Sequence, residues 1–340
     1  MRIWQGIVLA CGVGVALLGC GGPKEEGGAT EKGSARQSLQ GPVNVDGSST
    51  VFPISQAQAE EFMNENGGVQ VTVAESGTGG GFKKFGRGEI DISGASRPIE
   101  PSEDETCKKY GVEYIELPIA FDGLTVVVNP KNDWADSLTV AELKKIWEPG
   151  SKINNWSQVR AGFPNKPLKL YGPGTDSGTF DYFCEAINGG KGKSRSDYTA
   201  SEDDNVLVQG VAGDEGALGY FGIAYYEENK GKIRAVKIDG GEGPVEPSAE
   251  TVRSGRYKPL SRPLFLYVNV KSLDKPQVKA YVDFCLANAE KLVSQVGYVP
   301  LPAQAYEIAK KIVVEKRTGS RFIGETAKGL KIEDILAKEK

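Results

Sequence analysis

The stretch VQVTVAESGTGGGFKKF, residues 69–85, falls into three pieces. VQVTVAE (69–75) alternates apolar and polar residues as a half-buried strand does, while GFKKF (81–85) reads as a short helix. Between them Gly77, Gly79, Gly80 and Gly81 crowd around Thr78. Glycine at a strand-to-helix junction lets the backbone turn sharply and lets peptide N–H groups approach a bound group closely; the group that such donors suit is an anion.

The same design recurs along the chain. VNVDG (43–47) is a strand, followed by Ser48, Ser49 and Thr50 and by a helical stretch that opens at Pro53 and runs to Asn64. EIDISGAS (89–96) leads into Arg97-Pro98 and the acidic helical stretch PSEDETCKKYG. LKLYG (168–172) leads into Thr175-Asp176-Ser177-Gly178-Thr179 and the helix FDYFCEAI. Alternating strands and helices predict an α/β fold with a mainly parallel sheet, whose ligand sits beyond the carboxyl ends of the strands. One Ser/Thr cluster before a helix is an ordinary N-cap. Several in one chain, one of them beside an arginine, predict a shared oxyanion site at helix N-termini, where N–H groups are unpaired and the dipole is positive.

Two stretches read as crossings between lobes. IAFDGLTVVVNP (119–130) passes from a loop holding Asp122 into an apolar strand, and YKPLSRPLFLYVN (257–269) passes from proline breaks into another. Residues 41–127 and 263–325 then form one discontinuous lobe, 128–262 a second, and 326–340 a C-terminal tail, with both crossings acting as a hinge over a cleft.

At the N-terminus, Arg2 precedes an apolar run from Gly6 to Leu18, short for a membrane span and fitting for a signal peptide. It ends Leu17-Leu18-Gly19-Cys20, which resembles the lipobox of bacterial lipoproteins. Residues 1–19 are thus expected to be removed, Cys20 to carry lipid, and residues 20–40, polar and glycine-rich, to be a flexible tether. The expected location is extracytoplasmic, anchored at the membrane.

Composition narrows the chemistry. A net charge of −4 without a basic stripe argues against a nucleic-acid surface, so a local site has to attract any anion. The chain has no histidine, which removes Ser-His-Asp and Cys-His catalysis and His-ligated metal sites. No CxxC pair suggests metal, and no cofactor is implied. Beyond Cys20, Cys107, Cys184 and Cys285 allow one disulfide and a free thiol, or three buried thiols. GGKGKS (189–194) misses a phosphate-loop signature because Ile187 stands at its first glycine position, and SEDDN (201–205) reads as a solvated turn.

GSSTVFP (47–53), SGTGGGFKKF (76–85), DISGASRPI (91–99), AFDGLTVVVNP (120–130), GTDSGTFDYF (174–183), GALGYFG (216–222) and RPLFLYVN (262–269), in this order, resemble the phosphate-binding lipoproteins of bacterial ABC phosphate importers, the PstS type of class II solute-binding protein. The resemblance implies two α/β lobes of mixed sheets flanked by helices, closing over one dehydrated phosphate. It also implies a monomer that partners an ABC permease and has no enzymatic activity. Carried over by position, the ligands are Ser49, Thr50 and the Val51 N–H, Thr78, Ser96, Arg97, Ser177, Gly178 and Thr179. The best-known members carry an aspartate where Arg97 stands and an arginine where Pro173 stands, so the cation has changed lobes. The carboxylate that accepts the phosphate proton is then Asp122 or Asp176, with Asp122 preferred because it precedes a crossing strand. Competing readings are a binder of sulfate, molybdate or tungstate, a phosphate-ester hydrolase using Ser177, and a sensor built on the same lobes.

Overall fold

A computed structural model describes residues 39–175, 177–201 and 203–324. The expectations for residues 1–38, including the signal peptide and Cys20, for Asp176 and for the tail 326–340 lie outside these residues.

Strand β1 (Gly41–Gly47) buries Val43 and Val45. It is followed by α1 (Phe52–Glu65), with a proline in its first turn. Strand β2 (Val69–Val73) leads to α2 (Thr78–Phe85), and β3 (Ile92–Ala95) to α3 (Pro101–Tyr110). Both β2 and β3 lie parallel to β1, with Val43 opposite Val71 and Val45 opposite Ile92. All three strands therefore end at one edge, where the three helices begin.

Strand β4 (Tyr114–Val128) is buried along its whole length and joins two groups of strands. Its first part, to Gly123, pairs antiparallel with Ser261–Asn269, which also pairs antiparallel with β3. From Leu124 to Val128 it pairs instead with Ala217–Gly222. Beyond that strand lie Lys169–Pro173 and Thr199–Ser201, parallel to one another. The sheet is thus parallel in its two outer parts and antiparallel at the centre, a mixed arrangement rather than a mainly parallel one. Long-range return connections through the middle cause this, and no local periodicity reports them. The architecture is α/β, with two groups of strands joined through β4.

Four local expectations change. Asp122 lies inside β4, 2 % exposed, and not in a loop. Pro263 lies inside Ser261–Asn269; β3 pairs with that strand only from Phe265 onward, so the proline sits where β3 offers no partner. Helix α2 starts at Thr78, ahead of the stretch GFKKF, taking Gly79, Gly80 and Gly81 into its first turn. Gly77, at φ 76°, makes the turn. Gly81 is needed for packing, because a Cβ there would lie 2.6 Å from Gly47 Cα and 2.7 Å from Ser93 Oγ. Finally, the last three residues of SEDDN open a helix, with Asp203 capping Asp204–Gly213 by accepting from Asn205 N.

Cys107, Cys184 and Cys285 are all buried and free, so the second of the two cysteine readings holds. Among the described residues no helix is long and apolar enough to cross a membrane.

Candidate functional site

The loops after β1, β2 and β3 are tied to one another at the strand ends. Ser48 N donates to Gly94 O at 2.9 Å and Ser76 N to Gly47 O at 3.1 Å. Asp46 Oδ1 accepts from Gly47 N at 2.7 Å and from Ser76 Oγ at 2.8 Å, and Lys84 of α2 pairs with Oδ2. Burial opposes its charge, but the bonds from Lys84, Ser76 and Gly47 outweigh burial and hold this carboxyl below the usual range. The turn after β3 is pinned from behind, where Ile99 N donates to Tyr267 Oη at 2.9 Å and that hydroxyl donates to buried Glu116 at 2.6 Å.

This scaffold brings Thr78 and Ser96 together. Their hydroxyls are 3.1 Å apart and both residues are buried. They line a cavity of about 390 Å³ with Gly79, Gly80 and Arg97, and the far side is closed by Glu185, Lys191 and Arg262. Gly81 N makes the first intrahelical bond of α2, to Gly77 O, so the N–H groups of Thr78, Gly79 and Gly80 precede the helical ladder at this wall.

Arg97 lines the cavity but its fork points elsewhere. Nη1 and Nη2 each donate to Glu103 at 2.8 Å, Nη1 also reaches Pro98 O, and Nε lies 3.4 Å from Glu100. Glu103 in turn accepts from Glu100 N in the capping box of α3, so local helix capping has claimed the arginine's partner.

Sequence reasoning passed over Arg262. Its side chain is 6 % exposed, and Nη2 donates to Thr50 Oγ1 at 2.9 Å. Nη1 donates to Glu185 Oε2 at 3.3 Å, and the guanidinium stacks 3.6 Å over the Tyr182 ring. Asp122 stands opposite Arg262 in the strand register, with Oδ2 3.5 Å from Nε, beyond good hydrogen-bond length, and both atoms lack a hydrogen-bond partner. Burial pushes the Asp122 carboxyl up to about 6, against the pull of Arg262. The signal was present in SRPLFLYVN: an arginine heading an apolar strand needs a buried partner, and AFDG heads the other apolar strand with an aspartate.

The remaining expected residues gather on a second cavity of about 560 Å³, lined by Ser49, Asp122, Ser177, Gly178 and Thr179. Glu75, Asp204, Tyr225 and Tyr298 also face it. The Arg262–Asp122 pair stands between the two cavities, Arg262 lining one and Asp122 the other. Val51 N donates to Ser48 O at 3.0 Å, so this N–H serves the entry to α1 instead of pointing at the cleft. Ser177 Oγ accepts from Thr179 N at 3.2 Å as the cap of helix Gly178–Phe183. A Cβ on Gly178 would lie 2.9 Å from both Thr50 Cα and Thr50 N, so the two loops meet backbone to backbone.

Each cation on the first cavity has a carboxylate close by: Glu103 for Arg97, Asp181 at 3.3 Å for Lys191, and Asp122 and Glu185 for Arg262. An anion in such a pocket would be held by directed hydrogen bonds more than by net charge. Among the described residues no group of three or more His, Cys, Asp or Glu side chains could hold a metal ion.

Residues 27–289 match the family described as PBP superfamily domain. The chain is 53 % identical over 312 residues to Protein SphX of Synechococcus elongatus, with 91 % of each chain covered. It is 39 % identical to the Phosphate-binding protein PstS of Staphylococcus saprophyticus, covering 90 % of this chain and 92 % of that one. A crystal structure described as a possible phosphate binding protein from Planctomyces limnophilus is 52 % identical and superposes with a TM-score of 0.78, over 82 % of this chain and 99 % of the other.

Proposed function

This chain belongs to the PBP superfamily, alongside relatives that include SphX and PstS, and from that premise we propose that it binds inorganic phosphate outside the cytoplasmic membrane and delivers it to an ABC importer. The observation that carries this reading is the cavity where the Thr78 and Ser96 hydroxyls, the first N–H groups of α2 and the Arg262 guanidinium converge. A tetrahedral oxyanion presents acceptors in every direction, and this wall presents donors of three kinds. The names of the Staphylococcus and Planctomyces relatives point to phosphate among such anions.

In this reading Arg262 is the principal cation on the ligand, and Arg97 shapes the wall from its fork on Glu103. The lobes are 41–127 with 263–325, and 128–262. The change of partners within β4 at Gly123–Leu124, and the return of the chain at Ser261, support a hinge within a few residues of those boundaries. Ser49 and Thr50 on one side and Ser177, Gly178 and Thr179 on the other form the seam that shuts on the ligand. Lipid on Cys20 and a tether over residues 20–40 keep the protein beside its permease.

Calorimetry of the purified protein, stripped of endogenous ligand, tests the binding reading. Phosphate is expected to bind at least about 10⁴-fold tighter than sulfate, as a site built around a ligand proton allows; absence of phosphate binding refutes it. Phosphate uptake by a strain lacking the protein tests delivery.

A further inference from the structure

GGKGKS (189–194) lacks a phosphate-loop signature, yet it places Lys191 on the wall of the first cavity, across from Thr78 and Ser96. The loop is tied at both feet to one backbone carbonyl. Asn188 Nδ2 donates to Trp147 O at 3.2 Å and to Lys193 O at 2.6 Å, and Arg195 N donates to Trp147 O at 3.0 Å. Between these anchors Gly189 and Gly192 turn the chain at φ 79° and 66°, a backbone that other residues rarely adopt. Nothing lies within 4 Å of where a Cβ would stand on either glycine, so the loop arches over open space. Lys191 rides at the tip of this arch, between fixed ends.

Three cations line the cavity, and they differ in what a ligand has to displace. Arg97 commits both Nη atoms to Glu103 at 2.8 Å. Arg262 is buried among Thr50, Glu185 and the Tyr182 ring. Lys191 Nζ meets Asp181 Oδ2 at 3.3 Å, with the two side chains 46 % and 28 % exposed. An ion pair that long and that exposed contributes little to stability, and an ammonium on a flexible four-carbon stem swings without moving its backbone. Phosphate near neutral pH carries more negative charge than the single carboxylate it would replace, which favours the exchange.

Building on the phosphate reading, we infer that Lys191 is a transferable ligand contact: its ammonium leaves Asp181 for a phosphate oxygen when the anion enters, so that Asp181 competes with the ligand and lowers its affinity. Lys191 comes from the segment proposed as the second lobe, and Thr78 and Ser96 from the first. The transferred contact therefore joins the lobes through the ligand.

The test measures phosphate dissociation constants, by calorimetry at neutral pH, for the stripped parent protein, Lys191→Gln, Asp181→Asn and the double variant, with circular dichroism to verify folding. Lys191→Gln is expected to weaken binding about ten- to a hundredfold, as loss of a hydrogen bond to a charged group does. Asp181→Asn is expected to tighten it about two- to fivefold, the scale of an exposed ion pair, and this gain is expected to vanish in the double variant. A Lys191→Gln affinity within about threefold of the parent overturns the inference and leaves phosphate binding standing. An unchanged or reduced affinity in Asp181→Asn overturns it too, since the aspartate would then not compete. A gain that persists in the double variant also overturns it, because Asp181 would then act on the site through its field and not through Lys191. A parent without phosphate affinity removes both readings.

Discussion

Asp122 and Arg262 stand opposite each other on antiparallel strands, one residue before β4 exchanges its partners, and between the two cavities of the cleft. A buried guanidinium so placed is fixed by its own strand while its Nη2 reaches Thr50 and its Nη1 reaches Glu185. Under the proposed reading, ligand contact and lobe position share one side chain.

Replacing Arg262 is therefore expected to weaken phosphate binding far more than replacing Arg97. Truncating a buried, hydrogen-bonded charge costs about 2–5 kcal/mol, so Arg262→Ala should lose about two orders of magnitude or more, and Arg262→Lys should recover part of it. Arg97→Ala should lose less than about tenfold, since its fork serves Glu103. Titrations on the three variants rank them, and a larger loss at Arg97 would return the main cationic role to that residue.

Gly178→Ala puts a methyl group 2.9 Å from the Thr50 backbone. Relieving such a contact costs about 1–3 kcal/mol, which the cleft can meet by opening. Phosphate affinity should fall about five- to a hundredfold with little change in the thermal midpoint measured without ligand. An unchanged affinity would show that the seam does not close in the bound form.

The pH dependence of stability should carry the mark of Asp122. Its carboxyl is raised from 3.8 to about 6 by burial, so the folded state binds a proton that the unfolded chain releases. That contribution is present in full below the unfolded value and is lost as pH rises through the folded one. Thermal midpoints of the parent should therefore decline relative to Asp122→Asn between pH 4 and pH 6.5, about the interval spanned by those two values. A parallel course of the two proteins would place the titration elsewhere.

Burial pushes the thiol of Cys107 up to about 11 and that of Cys184 up to about 12, and raises Cys285 as well. A thiol reagent near neutral pH should label these three slowly in the native protein and fully after unfolding. Mass spectrometry after brief exposure measures this, and rapid native labelling of any one of them contradicts its burial.

The pattern of strand, glycine turn and helix was legible in VNVDG, VQVTVAE and EIDISGAS, because period-2 apolar residues and the glycine and proline signals act over a few neighbours. So was the donor-rich make-up of the Thr78 and Ser96 loops, since Ser, Thr and glycine before a helix already specify a cluster of donors. Without histidine, the catalytic alternatives had little left to use. Long-range geometry lay beyond that reach. Whether Arg97 or Arg262 commands the cavity depends on Glu103 being a capping-box residue within α3 and on Asp122 falling in register with Arg262, 140 positions further along the chain. Which cavity Asp122 faces likewise depends on the flank of that guanidinium it occupies. Local propensities establish which groups a chain offers, but the partner each group takes follows from strand register and the packing of distant segments, where burial makes an unpaired charge costly enough to dictate the pairing.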